Sequence, residues 1–207
     1  MALSTFSQLK TSIGDWLNRS DLTSVIPDFI TLAEAEFNRT LRTRQMIVRA
    51  NAVIDAEYTQ LPNDFLQMEN MIILTTTPTK LEFLSDEQAD DIFTRYFSAT
   101  GTPRYYTIIG ETLRFVPAPS GEFTVQMTYY KEVPALSDSN TTNWILGNHP
   151  DLYLYGSLLQ TAPYLQDDAR IATWAGLYAK GMEQLAASEA RSNYSGTTPR
   201  VRAKPLG

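Results

Sequence analysis

The sequence predicts an α+β protein: a four-helix bundle formed by N- and C-terminal helix pairs, with an inserted β-rich lobe and an extended C-terminal arm. Three observations lead there. Apolar residues recur at three- and four-residue spacing near both ends of the chain. Between them, from about Met46, the apolar period shortens to two. After Ser192 neither period survives, and Asn193 to Gly207 holds two prolines, two glycines and no apolar stripe. The expected division is 1–45 and 136–192 for the halves of the bundle, 46–135 for the insertion, and 193–207 for the arm.

Each element has its own signal. Leu3, Phe6, Leu9, Ile13, Trp16 and Leu17 share one helix face, and Asn18-Arg19-Ser20-Asp21 ends that helix with turn-forming residues. Ile26, Phe29, Ile30, Ala33, Phe37 and Leu41 mark a second helix, with Pro27 in a first turn that needs no amide hydrogen. Asp28, Glu34 and Glu36 come early in it and Arg39, Arg42 and Arg44 late, as the helix dipole favours. Val48, Ala50, Ala52 and Ile54 then alternate as in a half-buried strand, closed by Tyr58 and Leu61-Pro62. Leu66 to Thr77 is a second β-rich stretch. Ser85 caps a short helix near 85–97 with acids in its first turn. Tyr105–Ile109, a turn at Gly110-Glu111 and Leu113–Val116 read as a hairpin, and Phe123, Val125, Met127 and Tyr129 as a further strand. Helical spacing returns after the polar stretch Ser137–Asn143. Asn148-His149-Pro150-Asp151 starts a helix whose apolar face is Leu152, Tyr155, Leu158, Leu159 and Ala162. Asp167 or Asp168 caps a last helix carrying Ile171, Trp174, Tyr178, Met182 and Leu185.

Composition excludes several chemistries. The chain has 207 residues, 43% hydrophobic and 19% charged, enough apolar side chain for a folded core. It has no cysteine, so disulfides, zinc–thiolate sites, iron–sulfur clusters and cysteine nucleophiles are excluded. A single histidine excludes multi-histidine metal sites, and no cofactor is expected. Met71 to Leu74, the longest aliphatic run, is far short of a membrane span, and Met1 to Phe6 shows no basic leader before an apolar stretch. The net charge of −6 is unevenly placed. Residues 191–207 carry Arg191, Arg200, Arg202 and Lys204 and no acid, whereas residues 1–190 carry 13 basic and 23 acidic residues. An acidic body of net −10 does not suit a general nucleic-acid binder. A +4 arm suits either an electrostatic docking tail or a solvated chain end.

No active site assembles from the residues. His149, beside Pro150 at a helix start, reads as a cap or surface residue rather than a catalytic base, and no Gly-x-Ser-x-Gly accompanies it. Asp90-Asp91 and Asp167-Asp168 are adjacent acids whose side chains diverge on a helix, and Glu34 and Glu36 fall on different faces, so all read as helix surface or cap. There is no phosphate-binding glycine loop. Two features call for a partner or for nothing. Tyr105-Tyr106 and Tyr129-Tyr130 each place one ring outward on a strand, and Tyr153 and Tyr155 follow, which serves an interface or simple strand propensity. Arg39, Arg42, Arg44 and Arg49 serve an acidic partner or phosphate, or merely the helix dipole.

Several stretches in order resemble the head–tail adaptor (connector) proteins of tailed bacteriophages. They are Trp16-Leu17-Asn18-Arg19-Ser20-Asp21-Leu22, then Phe29 through Arg42, then Leu61-Pro62-Asn63-Asp64-Phe65-Leu66. Pro103-Arg104-Tyr105-Tyr106, Gly110, Leu113 and Phe115-Val116-Pro117 follow. Tyr129-Tyr130, Pro134 to Ser137, Asn143-Trp144 and Pro150 to Gly156 complete the set. The resemblance implies a structural virion protein, not an enzyme, that forms a homo-oligomeric ring of twelve beneath the portal protein and receives a tail or nozzle protein on its other side. Genomic DNA would pass through the channel without sequence-specific binding, and no membrane is involved. It implies assembly from the host cytoplasm into the virion neck. The portal-binding arm would use Tyr194, Arg200, Val201, Arg202 and Lys204, and Arg39, Arg42 and Arg44 are candidates for a ring or portal interface. Fifteen extended residues reach about 50 Å, enough to cross to a neighbouring ring. The competing reading is a carbohydrate- or receptor-binding β module of a phage tail protein, which the tyrosines and the β insertion would serve.

Overall fold

The computed structural model describes residues 3–95, 100–165 and 169–193. The chain divides into two compact units, one built from the residues before Gln45 and after Glu132, the other from Gln45–Glu132. Among the described residues the helices are α1 (Phe6–Leu17), α2 (Ile26–Thr40), α3 (Asp86–Arg95), α4 (Trp144–Asn148), α5 (Pro150–Leu159), α6 (Ala162–Leu165) and α7 (Arg170–Asn193). All but α3 lie in the first unit.

Local chemistry sets the ends of the early helices. Thr5 caps α1, its hydroxyl accepting the Gln8 amide at 3.3 Å, while the Gln8 side chain accepts from the backbone and hydroxyl of Ser4. Asn18 ends α1 at φ 53°, a left-handed position an asparagine tolerates, and returns its N–H to the Gly14 carbonyl. Pro27 sits in the first turn of α2 as expected. Both helices turn their predicted apolar stripes inward: Phe6, Leu9, Ile13 and Leu17 on α1, and Ile26, Phe29, Ile30, Ala33 and Phe37 on α2 are buried.

The expected four-helix bundle does not form. α5 is only ten residues long, and Leu152, Tyr153, Leu154, Gly156, Ser157 and Leu158 are all buried, which leaves Asp151 exposed and Tyr155 and Leu159 half-buried. It packs against α1, α2, α4 and α7 as their common neighbour. Two helix hairpins meeting along matched stripes would need an amphipathic α5. The amphipathic face expected from Leu152, Tyr155, Leu158 and Leu159 was a misreading of a segment that is apolar nearly all round. α4 and α6 are single short turns beside it. The expected cap at Asp167 or Asp168 lies outside the described residues, as does the end of the helix expected to reach Phe97.

Two glycines permit this crowding. A Cβ on Gly156 of α5 would stand 3.3 Å from the Tyr178 ring of α7, 3.5 Å from Phe37 and 3.6 Å from Ala33 of α2. A Cβ on Gly181 of α7 would stand 2.7 Å from the buried Leu152 side chain of α5. Close approach of α5 to both neighbours is eased by the missing side chains.

The second unit holds strands β1 (Ile47–Ile54), β2 (Tyr58–Gln60), β3 (Phe65–Ile73), β4 (Thr79–Lys80), β5 (Glu82–Phe83), β6 (Thr100–Gly101), β7 (Tyr105–Ile109), β8 (Thr112–Val116), β9 (Ala118–Pro119) and β10 (Phe123–Lys131). One sheet runs β1-β10-β3-β4 and is antiparallel. A second runs β2-β8-β7-β5, with β5 parallel to β7, and β6 pairs with β9 in a small third sheet. The predicted hairpin is β7–β8, paired from Tyr105↔Val116 to Ile109↔Thr112, with Gly110 at φ +59° in its turn. Ile54, Met71, Ile73, Val125 and Met127 from the first sheet and Tyr106, Leu113 and Phe115 from the second build one apolar core. Alternation explains the strands: β10 buries Val125, Met127 and Tyr129 and turns the residues between them away.

Overpacking the α2–α5–α7 contact tests the account of Gly156. Gly156→Val is expected to lower unfolding free energy by about 1–3 kcal/mol, measured by urea titration. A neutral result would mean that α5 does not approach Tyr178 and Phe37 this closely.

Candidate functional site

The helical unit is organised around one buried carboxylate. Glu34 is 5% exposed, and its Oε1 accepts the Leu136 amide at 2.8 Å and the Tyr153 hydroxyl at 3.1 Å. Tyr153 in turn accepts from the Asn143 side-chain amide, which also donates to the Pro134 carbonyl at 2.8 Å. The other end of Asn143 accepts the Leu146 amide and caps α4. One turn along α2, Asn38 accepts the Val133 amide at 2.8 Å. Glu34 and Asn38, four apart on one face, therefore hold the backbone of Val133 to Leu136 where the chain re-enters this unit. Burial pushes the Glu34 carboxyl above its ordinary range, against the opposing pull of the Leu136 and Tyr153 hydrogen bonds. Burial, reinforced by the Glu34 charge, holds the Tyr153 phenol well above its ordinary value.

The expectation that Glu34 lies on the helix surface is thus overturned. Its position carried the signal: it lies four residues after Ile30 and three before Phe37, inside the apolar stripe. The stripe is broken by a charge because two buried donors need an acceptor there.

The arginines at the end of α2 do not share one task. Arg42 folds back, its Nη1 donating to the carbonyls of Asn38 (2.8 Å) and Leu41, which satisfies the helix end. Arg44 binds Glu189 of α7 through its backbone amide (3.0 Å) and its Nε (3.4 Å). Arg39 is exposed in the last turn of α2. Arg49 lies on β1, in the other unit.

The β unit has its own buried charge, which sequence reading missed. Arg114 on β8 is 6% exposed. Its Nε donates to Glu57 at 2.8 Å, its Nη1 to Asp90 of α3, and its guanidinium stands 4.9 Å from the Phe93 ring centre. Burial alone would lower its pKa, but the Asp90 and Glu57 hydrogen bonds prevail and hold it above the ordinary value. The available signal was a lone arginine between Leu113 and Phe115, opposite a helix whose Asp86 and Asp90 share one face. Asp90 is exposed, as expected of helix surface, and its carboxylate also ties α3 to this sheet.

The stretch Leu61-Pro62-Asn63-Asp64-Phe65 is a structural corner. Leu61 is buried, Phe65 closes a turn on the Pro62 carbonyl, and the Asp64 carboxylate accepts the Tyr129 hydroxyl at 3.0 Å. The Asp64 carbonyl accepts the Glu132 amide at 2.8 Å. Burial, with help from Asp64, pushes the Tyr129 phenol up to about 12.

The tyrosine pairs split as strand geometry dictates, but the outward rings are not displayed. Tyr106 and Tyr129 are buried, while Tyr105 and Tyr130 are half-buried. Tyr153 is fully buried, and Tyr155 packs edge-on to Trp16 at 5.8 Å. His149 sits between α4 and α5 without a side-chain capping bond, its ring edge-on to Trp144 at 6.4 Å. Among the described residues no group of acids or histidine is arranged to hold a metal, and no helix is long and apolar enough to cross a membrane. Tyr194, Arg200, Val201, Arg202 and Lys204 of the arm lie outside the described residues.

In each unit the buried polar groups described above hold segments of the chain together. A family model described as SU10 adaptor protein matches residues 4–202. Among curated proteins, none matches the chain.

Two substitutions test the buried charges. Folding favours the protonated Glu34, so its contribution is full below the ordinary carboxylate value of 4.5 and is lost as pH rises through the higher folded value. Glu34→Gln keeps an acceptor and cannot ionise, so it should flatten that fall in a pH series of thermal melts. Glu34→Leu should instead cost about 1–3 kcal/mol for each donor it orphans. Arg114→Met should cost roughly 1.5 kcal/mol in urea unfolding, the low end for charged hydrogen bonds, because Asp90 is largely exposed and regains water.

Proposed function

The chain belongs to the SU10 adaptor protein family, and from that premise we propose that it forms the ring joining a phage portal to the tail. The coarser role is plain: a phage adaptor is a structural component of the virion. The finer reading is a homo-oligomeric ring, of twelve to match a twelve-fold portal, seated in the virion neck after release from the host cytoplasm. Its upper side would meet the portal protein and its lower side a tail or nozzle protein, with genomic DNA passing through the middle.

The observation that carries this reading is the extent of the family match. It runs through residue 202 and so takes in Arg200 and Arg202 of the basic arm as well as both folded units. Charge supports the division of labour. A +4 arm on a body of net −10 is drawn to an acidic surface on the portal, while an acidic wall repels DNA and lets it slide. Tyr194 and Val201 would supply the apolar contacts of the arm, and Arg200, Arg202 and Lys204 the charged ones. Of the α2 arginines, Arg39 is best placed to reach a neighbouring subunit or the portal, because Arg42 and Arg44 also serve their own unit.

Deleting residues 193–207 should leave folding unchanged and weaken ring-on-portal association at least about tenfold, with the intact protein's affinity falling as salt is raised. Electron microscopy and sedimentation of the protein with and without its portal read this out. Undiminished association of the truncated chain would remove the arm from the portal contact. Arg39→Glu should reduce assembly while lowering the melting temperature only slightly, as reversal of a helix-end charge does, and normal assembly would return that residue to a purely helix-stabilising role.

A further inference from the structure

The first sheet of the β unit ends on a strand with one side unused. All eight residues of β1 pair with β10 in unbroken register, and no strand lies along its other side among the described residues. The ladder tells which backbone groups face that side. The Leu74 amide donates to the Thr124 carbonyl, so Thr124 turns its backbone toward β3, and Phe123 and Val125 turn theirs toward β1. Their partners Ile54 and Ala52 therefore bond β10, and with them Ala50 and Val48. Ile47, Arg49, Asn51 and Val53 point their N–H and C=O groups the other way, where no backbone bond engages them among the described residues.

The side chains of β1 are also set for a neighbour. Arg49, Asn51 and Val53 are exposed on one face, Val53 at 61%. Val48, Ala50 and Ala52 on the other face pack against the apolar core yet stay only half-buried at this margin. Edges meant for solvent are normally guarded by shortness, proline, a bulge or charge. β1 lacks the first three, and its one charge, Arg49, has no partner among the described residues.

We propose that β1 pairs with β1 of a second copy, antiparallel about a two-fold axis at Ala50. Bonds across the junction join only residues whose groups face it, so Ile47, Arg49, Asn51 and Val53 meet one another. The register that overlaps the whole strand sets Ile47 opposite Val53 and Arg49 opposite Asn51. Each arginine thus meets a carboxamide rather than its like. The Asn51 Oδ1 accepts Gln126 Nε2 at 3.2 Å and has a second lone pair for the guanidinium of the other copy. On the core face Val48 lies opposite Ala52 and Ala50 opposite itself, which closes the half-buried margin of both cores. Four residues from each copy, with one N–H and one C=O apiece, give about eight backbone hydrogen bonds, against about ten in a standard interface. The basic arm suits this edge less well. Arg200, Arg202 and Lys204 alternate with Val201 and Ala203, so a strand with its apolar face toward the core would line three cations beside Arg49. A two-fold contact closes at two copies, so the pairing describes the protein away from the portal and stands apart from the ring reading.

The chain has no cysteine, so one introduced thiol can form a disulfide only between copies. Ala50 meets itself at a non-hydrogen-bonded position, where Cα atoms stand about 4.5 Å apart, within disulfide reach. With oxidised glutathione and no portal, Ala50→Cys should run mostly as a covalent dimer on a non-reducing gel. Ala52→Cys, which is offset from its own copy, should cross-link at least about tenfold less. Sedimentation equilibrium of the unmodified chain should show monomer and dimer in exchange. Asn51→Arg opposes like charges twice per dimer and should weaken the association about tenfold. Adding Arg49→Glu to Asn51→Arg should restore it, which separates a broken junction from a broken fold. An unmodified chain that sediments as a monomer at every concentration overturns the pairing. So does Ala50→Cys that fails to cross-link, or Ala52→Cys that cross-links as readily. Each of these results leaves the ring reading untouched, because no portal is present.

Discussion

A carboxylate buried beneath two donors governs the helical unit. Glu34 accepts from Leu136 and Tyr153, and through Tyr153 and Asn143 it reaches the start of α4. One α2 residue thereby ties together the re-entry segment, the central helix α5 and the cap of the helix before it. The cost is a desolvated charge, which burial expresses by raising the Glu34 pKa. The return is directional. An apolar residue could fill the space, but it could not say where the backbone of Leu136 must lie.

The β unit uses the same device with the sign reversed. Arg114 gathers Glu57 from the chain before β2 and Asp90 from α3 onto one strand. Asp64 and Tyr129 lock the corner before β3 to the end of β10. In both units a buried charge, Glu34 in one and Arg114 in the other, holds segments together.

Seen this way, the open edge of the first β-sheet stands out against the rest of the molecule. Elsewhere the outer strands are cut to two or three residues, and polar side chains are spent internally. Among the described residues β1 is the outer strand that pairs over eight residues in unbroken register. Folded monomers normally suppress such edges because they invite association.

The sequence by itself determined the local periods and their termini. The stripes of α1 and α2, the cap at Asn18, Pro27 in a first turn, the β7–β8 hairpin and the alternation of β10 were all legible, because each depends on side chains within a few residues of one another. The family was legible too, from short stretches spaced along nearly the whole chain. What only the tertiary structure decided were the matters settled by distant partners. α5 looked like a helix with one apolar stripe but is buried on most of its sides, since α1, α2, α4 and α7 meet on it, and that removed the four-helix bundle. Glu34 looked like surface and Arg114 went unremarked, because their partners stand 24 to 119 residues away in the chain. Period reports which face of an element is apolar; it carries no record of what that face, or the one charge within it, will meet.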